Sequence, residues 1–522
     1  MKIPFAFWGQ GESDIPIVAG VKVIDIGLNE VELEYTMIDS GKNEPVIAFG
    51  VVYSKTNTNP KLNDPDVNVS FISSNTPFPP NLPVTDAHIV TGLDDTSIYY
   101  FRIFATNGPT GQPPTSQNTF YSNVVVAETE WNAFTYEYGY DQVASQTAED
   151  YVEIGTNKAF ASNTQALSII ANVPGTPDEA ITVDKSNGPQ ALKIKVEVES
   201  TGEKITEFKV NNPAGSRNIE LSKSLVPAGT GKILVYVAHD DTIPGTSFNH
   251  FSFSDTEAVY AAVRIRRWGP AKWKFWDYMF QGSSGSPNSD PYGNPANNDP
   301  GIGNPSDTPD LSECVSMLAA FRNNRQAWSG DYPGEQKLGD WDLSNIQTAE
   351  QMFKDSNVCG LSATKSTKPL QDANWDSCRY FYRCFHNGFS LTPPDASQNL
   401  WIQGWTFNTN ESVSLANFMS LPFANGPTDN GDIGCGAWDV SNVINIGGMF
   451  RDSTDINMNL GSWNTSAIRT ARFAFNNARA MNFDGSNWNL AGVVDGQCTN
   501  MFSGTNSWSL PKPPLPNCNT ST

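Results

Sequence analysis

Residue types that commonly carry enzymatic chemistry are scarce in this chain of 522 residues. The four histidines are His88, His239, His250 and His386. The sequence has no HExxH, no GxSxG and no phosphate-binding glycine loop, the patterns that hold metal ligands, nucleophiles and phosphates at working distances. The densest polar cluster, His239-Asp240-Asp241, follows a strand-like run, where a turn accounts for it more simply. The sequence therefore predicts that the protein is not an enzyme, with no catalytic residue and no cofactor.

Metal ligands are also poorly placed. A hard cation could be gathered by Asp290, Asn297, Asn298 and Asp299, but these residues lack the fixed spacing of a calcium loop. The seven cysteines are Cys314, Cys359, Cys378, Cys384, Cys435, Cys498 and Cys518. An odd number without CxxC pairs is a weak zinc signature and a weak disulfide framework. We expect buried thiols and no metal centre, and one or two disulfides or a metal site are the alternatives.

The fourteen tryptophans raise the question of carbohydrate binding, because flat aromatic faces stack on sugars. Six of them recur at one position of a repeat and are expected in its core: Trp341, Trp375, Trp405, Trp438, Trp463 and Trp488. Trp328, Trp401 and Trp508, together with Tyr380 and Tyr382, fall outside that register. Of these, Trp328, Trp401, Tyr380 and Tyr382 are the candidate recognition face, with packing in the interior as the alternative.

The charge balance argues against two classes of partner. Acidic residues outnumber basic ones by 55 to 33, which gives a formal net charge of −22. Such a chain repels phosphate backbones and anionic lipid, so we expect no nucleic-acid partner. No apolar run approaches the length that crosses a bilayer, so we expect no membrane insertion.

The aromatic positions belong to a repeat. GAWDVSNVINIGGMF at 436–450 and GSWNTSAIRTARFAF at 461–475 start 25 residues apart, and Trp488 follows Trp463 by another 25. A fixed period of this length is typical of a solenoid, in which each copy buries its apolar side chains against the next. The Asp and Ser of each copy are expected to satisfy backbone groups at a tight bend. The predicted repeat core consists of Trp341, Phe353, Trp438, Val443, Phe450, Trp463, Ile468, Phe475, Trp488, Val493 and Phe502.

WDVSNV…MF and WNTSAI…F resemble the BspA-type leucine-rich repeats of bacterial and viral surface proteins, whose hallmark is WDxSxV followed by MF. The resemblance covers residues 265–505, implies adhesion and recognition, and brings no catalytic residues. It departs from the family in its irregular spacing of 34, 30 and 33 residues between successive copies from Trp341 to Trp438. We expect the irregular units to place aromatic-bearing loops on one edge of the solenoid, and binding to reside there.

Upstream of the repeats the chain alternates like β-strands. Runs such as EVELEYTMI and IYYFRIFAT are separated by turn residues, as in a β-sandwich. Tyr99, six residues after Leu93, resembles the tyrosine corner of fibronectin type III domains. The next signature of that family resembles Ala105, Asn107 and Ser122. Such a domain implies a spacer or a presenting module.

The sequence thus predicts a mainly β protein with repeats. Its predicted parts are an N-terminal anchor peptide at 1–16, a fibronectin type III-like β-sandwich at 17–128, a second small β domain at 129–262, a leucine-rich-repeat-like solenoid at 263–508 with a Pro-, Gly- and Asn-rich insertion at 283–310, and a Pro-rich tail at 509–522.

The N-terminal peptide, MKIPFAFWGQGE, has a five-residue apolar patch. This patch is too short for the apolar core of a secretory signal, so we expect no export by the general route. Phe5, Phe7 and Trp8 are the candidate anchor, expected to insert into a groove on a neighbouring protein or sister subunit. Folding back onto the first domain is the alternative.

Adhesion-type domains without an export signal indicate a virion component that is released by host lysis. We therefore predict a virion structural protein on the virion surface, a head or tail fibre or a decoration protein. Its repeats would recognise a host surface protein or glycan, and its N-terminus would contact other virion proteins. A bacterial cell-surface adhesin and an intracellular protein-binding scaffold are the alternatives, and a homo-oligomer is left open.

Overall fold

The structure is a computed structural model. It describes residues 15–41, 46–74, 82–109, 118–145, 148–159, 164–185, 189–212, 215–248, 250–253, 264–281, 305, 307–323, 338–356, 372–387, 402, 404–420 and 434–518. This part of the chain is mainly β, with several small sheets and one short α-helix, α1 (Tyr140–Ala144). None of the described helices is long and apolar enough to cross a membrane. The chain divides into two compact units, Met1–Asn132 and Ala133–Thr522.

The described residues of the first unit form two antiparallel sheets around one core. The strands are β1 (Ile17–Ile26), β2 (Glu30–Asp39), β3 (Val46–Ser54), β4 (Asn68–Ser74), β5 (Val84–Thr91), β6 (Ile98–Asn107), β7 (Thr119–Tyr121) and β8 (Val125–Glu128). One sheet has the order β1-β2-β5, and the other has the order β4-β3-β6-β7 with β8 also paired to β6. Alternate side chains of a strand turn to the same face, so Leu33 and Tyr35 of β2 and Phe101 and Ile103 of β6 are buried in the shared core.

Tyr99 fixes the connection by which the chain passes from β5 in one sheet to β6 in the other. Its hydroxyl accepts a hydrogen bond of 2.9 Å from the backbone N–H of Asp94, and its ring is buried. Leu93, the residue before Asp94, is buried in the same core. The Ser122 hydroxyl accepts a hydrogen bond of 3.0 Å from the backbone N–H of Ile103. These contacts give structural roles to residues that the sequence analysis singled out.

The second unit begins with a larger antiparallel sheet. Its strands in the described residues are β9 (Phe134–Tyr138), β10 (Tyr151–Ala159), β11 (Thr164–Ile170), β12 (Glu179–Asp184), β13 (Gln190–Val198), β14 (Lys204–Asn212), β15 (Gly215–Ser222), β16 (Ile233–His239) and β17 (Arg264–Arg267). Five of them form a sheet of order β14-β13-β16-β9-β17. The pairs β10-β15 and β11-β12 form two-stranded sheets. The second of these pairs is called the hairpin below.

After β17 the chain forms a stack of hydrogen-bonded repeats, called the repeat ladder below, from Trp273 to Trp508. Isolated parallel bridges join equivalent residues of successive repeats: Phe275 to Ser316, Ser316 to Thr348, Thr348 to Tyr380, Tyr380 to Ser414, and Asn445 to Thr470. Short parallel strands pair in the same way: β18 (Asn374–Trp375) with β19 (Thr406–Phe407), and β20 (Val413–Ser414) with β21 (Val443–Asn445). Next to each bridge, backbone N–H groups donate to the following repeat, as from Met317 to the Thr348 carbonyl at 3.0 Å.

The sheet and the repeat ladder share one hydrophobic core. The ring of Phe134 on β9 lies 5.2 Å from that of Trp273 in the first repeat, and Trp268 lies 5.1 Å from Trp276. Trp276 in turn lies 5.0 Å from Trp341, measured between ring centroids. All five rings are buried. The strands that the sequence analysis placed in a second β domain therefore close the first end of the ladder within one compact unit.

Candidate functional site

Each repeat opens with a polar turn next to its Trp. The side-chain carboxylate of Asp439 accepts a hydrogen bond of 2.9 Å from the backbone N–H of Ser441, and the Asn464 amide oxygen accepts one of 3.3 Å from Ser466. The same turn is formed by Asp310, Asp342 and Asn489. A side chain that accepts a bond from the backbone two residues later closes the bend locally. The Asp of the WDxS motif is therefore used inside the repeat.

Where the repeats are described, two of their positions adopt a left-handed backbone. The first is occupied by Tyr278, Ala319, Gln351, Arg383, Asn417, Gly448, Phe473 and Asn500, with φ from 53° to 64°. The second is occupied by Asn323, Asp355, Asn387, Asp452, Asn477 and Gly504, with φ from 54° to 77°. Asn, Asp and Gly adopt this conformation most readily, so the second position has a sequence signal and the first has almost none. Neither position was predicted from the sequence.

The interior of the ladder is filled by stacked aromatic side chains. All eleven residues of the predicted repeat core are buried, none of them more than 5% exposed. Equivalent Phe rings stack in a column, with centroids 5.3 Å apart from Phe321 to Phe353, 5.0 Å apart from Phe353 to Phe385, and 5.9 Å apart from Phe475 to Phe502. The rings stack in two runs, with Met419 at the equivalent position between Phe385 and Phe450. Each run makes its repeats a rigid support for one another.

The hairpin covers part of one face of the ladder. Its buried apolar side chains are Leu167, Ile169, Ile181 and Val183, and they form one cluster with Ile444 of the ladder. Packed against this cluster are Val315, Tyr380, Ala467 and Val494. The Asn445 side-chain amide donates a hydrogen bond of 2.9 Å to the Ile169 carbonyl, and Arg379 forms an ion pair with Glu179. At these positions the chain itself occupies the face that carries the parallel bridges.

Tyr380 and Tyr382, two of the four predicted recognition residues, lie at the border of this covered face. Both are half-buried, and their ring centroids are 6.0 Å apart with planes inclined by 27°. Tyr380 packs against the hairpin, and burial, followed by the charge of Glu350, raises the pKa of its hydroxyl. The Arg383 guanidinium lies over the Tyr382 ring, 4.9 Å from its centroid. Of the two described residues of the predicted face, Tyr380 packs against the hairpin cluster, and Tyr382 instead contacts Arg383, which the sequence did not single out.

Several predicted residues lie outside the described part of the chain, and their roles stay predictions. They are the recognition candidates Trp328 and Trp401, the anchor candidates Phe5, Phe7 and Trp8, and the cation-ligand candidates Asp290, Asn297, Asn298 and Asp299.

Hydrogen-bonded polar side chains join neighbouring repeats at the second left-handed position. The Asn387 amide donates a hydrogen bond of 2.7 Å to the Asp355 carboxylate, and Lys354 Nζ lies 2.6 Å from the other oxygen of that carboxylate. Burial by itself would raise the pKa of Asp355, but the hydrogen bonds from Lys354 and Asn387 outweigh it and lower the pKa. Asn477 makes the same bond to Asp452, also at 2.7 Å. The Asn and Asp side chains at this position thus link neighbouring repeats.

His386 adds a neutral imidazole to this edge. Its Nδ1 lies 2.6 Å from the Ser420 hydroxyl oxygen in the next repeat. Burial, followed by the positive charges of Arg383 and Lys354, lowers the pKa of His386 to about 4. At neutral pH the edge near Tyr382 therefore offers an uncharged imidazole, amide groups and a guanidinium, a combination suited to hydrogen bonding with a polar ligand.

The repeats differ in length, and the difference lies between the residue of the Phe column and the next Trp. Thirteen residues separate Phe450 from Trp463 and Phe475 from Trp488. In the four earlier copies the column position is occupied by Phe321, Phe353, Phe385 and Met419, and the next Trp follows after 20, 22, 20 and 19 residues. These longer stretches contain segments 324–337, 357–371, 388–401 and 421–433, which lie outside the described residues. In the sequence, the first three segments begin one or two residues after the second left-handed position.

The cysteines fall into two groups. Cys498 and Cys518 form a disulfide that ties the Pro-rich tail to the last repeat. Four further cysteines, Cys314, Cys378, Cys384 and Cys435, are buried outside this disulfide, and burial raises the pKa of the Cys314 and Cys378 thiols. Cys359 lies outside the described residues. In the part of the chain that the structure describes, no group of three His, Cys, Asp or Glu side chains could hold a metal ion.

Two segments of the chain, 307–392 and 402–511, match a family model described as Mycoplasma protein of unknown function, DUF285. This domain is associated with BspA-like surface repeat proteins, which confirms the repeat resemblance at the level of that domain. The first segment lies within the repeat ladder, the second extends from the ladder to three residues beyond Trp508, and the first repeat, around Trp273, precedes both. No curated protein matches the chain.

Proposed function

We propose that this protein is a non-enzymatic surface recognition protein whose repeat ladder presents a ligand-binding edge. The observation that carries the proposal is the constant point at which the copies vary in length, between the Phe column and the next Trp. Variable segments on a rigid support are where binding usually resides. The stacked aromatic column of the ladder supplies that support.

The described side chains at this edge favour a polar ligand, either a glycan or a polar loop of a protein. Tyr382 offers an aromatic ring and Arg383 a planar donor group. Asn387 and His386 add amide and imidazole hydrogen-bonding groups beside them. An aromatic ring flanked by rigidly held polar groups is the usual composition of a binding hot spot.

We further propose a finer description of both folds. The parallel bridges between equivalent residues and the 25-residue period support a BspA-type leucine-rich-repeat solenoid. The two sheet orders of the first unit and the contact between Tyr99 and Asp94 support a fibronectin type III-like sandwich. On this proposal the first unit is a spacer and the ladder carries recognition.

We propose the virion surface as the location, with the chain acting as a head or tail fibre or a decoration protein. The adhesion-type architecture supports this location and a bacterial cell surface alike. The disulfide between Cys498 and Cys518, together with the Mycoplasma family description, favours a cell-surface adhesin as the second candidate. Immunogold labelling of the native source with antibodies to the ladder separates them, because label would lie on particles or on the cell envelope. Label confined to the cytosol would exclude both locations.

The N-terminal peptide has a defined role in the virion proposal. Phe5, Phe7 and Trp8 would insert into a groove on another virion protein or a sister subunit. A chain that lacks residues 1–12 should stay folded but fail to enter the particle. Normal incorporation of that truncated chain would contradict the anchor.

Binding to host cells and to a glycan panel tests recognition. We expect the double variant Tyr382→Ala/Arg383→Ala to bind roughly 30-fold more weakly or worse, since a single hot-spot residue contributes about 2 kcal/mol. Phe71→Ala is the matched control, because Phe71 is an aromatic residue of the first unit with a 57% exposed side chain. The fragment 1–132 is the second control, since it contains one complete core. If that fragment bound as well as the full chain, the ladder would not be the binding site.

A further inference from the structure

Lys185 and Asp277 form a buried ion pair between the hairpin and the first repeat. The Lys185 Nζ lies 2.7 Å from Asp277 Oδ2, and the two side chains are 2% and 5% exposed. Lys185 directly follows β12, whereas Asp277 lies 92 residues further along, in the first copy of the ladder. A buried ion pair is often no more stabilising than apolar residues of the same volume. The proposed recognition function makes no use of this pair.

The second carboxylate oxygen of Asp277 is held by two neutral donors. The Ser316 hydroxyl donates to Oδ1 at 2.5 Å, and the Leu318 backbone N–H donates to the same oxygen at 3.2 Å. Ser316 is fully buried, and so is His250, whose Nε2 lies 3.0 Å from the Asp277 backbone oxygen. The carboxyl group is therefore fixed, with one oxygen between two donors and the other against an amine, in a place that water does not enter.

We propose that Lys185 and Asp277 condense to an intramolecular isopeptide bond. A proton passes from Nζ to Oδ2 along their hydrogen bond, which leaves a neutral amine and a neutral carboxylic acid. The Nζ lone pair then attacks the carboxyl carbon and forms the C–N bond, and negative charge develops on Oδ1. The C–Oδ2 bond breaks, a proton from the nitrogen leaves with that oxygen as water, and an amide remains. The step needs no oxidant, metal or second reactant.

The arrangement of donors suits the charge that develops in this reaction. Ser316 Oγ–H and Leu318 N–H already bind Oδ1, so they stabilise the tetrahedral intermediate without moving. Contact between amine and acid supplies a high effective concentration, and exclusion of water favours the amide over hydrolysis. These effects are the same ones that enzymes use for acyl transfer.

The bond would tie the base of the hairpin to the first repeat. A stack of repeats unfolds most readily from its ends, because the terminal copies have one neighbour only. The disulfide between Cys498 and Cys518 already fastens the far end. With the isopeptide bond, both ends of the ladder would be covalently closed. This inference stands independently of the proposed ligand and location.

Intact mass spectrometry of the reduced, denatured full-length protein tests the bond. We expect the wild-type chain to be lighter than its sequence mass by one water, either at once or progressively while the folded protein is incubated. Lys185→Arg keeps a buried cation but lacks the amine, so that variant should keep its full mass. Tandem mass spectrometry of a protease digest should give a branched peptide that joins Lys185 to Asp277.

Two results would overturn the proposal. One is a wild-type chain that stays at its full sequence mass after prolonged incubation in the folded state. The other is a loss of water that persists in Lys185→Arg or that maps to another residue. The mass of the wild-type chain tests for the isopeptide bond by itself, even if Lys185→Arg fails to fold. Ser316→Ala should slow the appearance of the lighter species roughly tenfold or more, and an unchanged rate would remove Ser316 from the mechanism.

Discussion

The indole N–H of Trp463 donates a hydrogen bond of 2.9 Å to the backbone carbonyl of Cys435, 28 residues earlier in the chain. The same kind of bond runs from Trp438 to Ile402, from Trp488 to Leu460 and from Trp508 to Phe483, at 2.8 to 3.0 Å. Each of these residues fills the interior and also satisfies a carbonyl at the turn of the preceding copy. A buried acceptor at this place explains why Trp recurs where Phe would fill similar space.

Replacing Trp463 should separate these two roles. Trp463→Ala is expected to lower the free energy of unfolding by about 3–5 kcal/mol, because a large buried ring is lost. Trp463→Phe should cost about 1–3 kcal/mol, since most of the packing stays and the hydrogen bond to Cys435 is lost. Urea denaturation measures both, with Arg472→Ala, an exposed residue, expected to change stability by less than about 0.5 kcal/mol. Unchanged unfolding of Trp463→Ala would be incompatible with a core role.

At the first left-handed position, two substitutions should change the stability of the protein in opposite directions. Gln351→Gly should stabilise the protein by about 1 kcal/mol, because a left-handed backbone, here with φ of 54°, is strained for any residue with a Cβ. Gly448→Ala should destabilise it by about 2 kcal/mol or more, since an added Cβ would lie 2.4 Å from the Asn417 side-chain oxygen.

Thermal unfolding of these two variants is the measurement. Arg472→Gly is the control in an ordinary backbone conformation, where Gly should destabilise by roughly 0.5–1 kcal/mol. The role of the left-handed position would be refuted if Gln351→Gly and Arg472→Gly shifted the melting temperature in the same direction by the same amount.

His386 should make stability depend on pH in a defined window. Its pKa is lowered from 6.5 to about 4 in the folded protein by burial and by the charges of Arg383 and Lys354. The unfolded chain therefore binds a proton that the folded chain does not, as the pH falls from about 6.5 to about 4, and stability is lost over that range. Below about pH 4 both states are protonated at His386, and the contribution of this residue no longer changes.

The comparison of wild type with His386→Gln isolates this effect from the many carboxylates. Urea midpoints measured from pH 8 to pH 4 should fall more steeply for the wild type than for the variant. Parallel curves for the two proteins would show that His386 titrates alike in the folded and unfolded states.

The disulfide makes a countable prediction. With Cys498 and Cys518 bonded, no more than five of the seven cysteines should react with a thiol reagent in denaturant before reduction. The double variant Cys498→Ser/Cys518→Ser should give the same number of reactive thiols as the wild type and should lose about 3 kcal/mol or less, because the bridge closes a short loop of 20 residues. Seven reactive thiols in the unreduced wild type would show that the pair is not bonded.

The repeat could be predicted from sequence because its signals are local. The Trp, the turn-forming Asp or Asn and the Phe of each copy recur at fixed offsets, and a chain that stacks on itself must repeat its buried positions. The strands of the first unit were predictable for the same reason, since alternation within one strand decides which side chains are buried. The first left-handed position had no such signal. Tyr278, Arg383 and Phe473 all adopt the left-handed conformation because the bend of the ladder imposes it. Their side chains have no property in common from which that conformation could be predicted.

The sequence alone determined that the chain is mainly β, that its C-terminal half repeats, and which side chains fill the repeats. Each of these properties depends on residues close together in the chain. Only the tertiary structure decided that the hairpin lies on the ladder and packs against Tyr380, which the sequence placed on an open face. It likewise decided that Lys185 meets Asp277 across 92 residues. Such contacts depend on how two segments that are distant in the sequence pack against each other. The residue pattern within one segment does not identify the segment that it contacts.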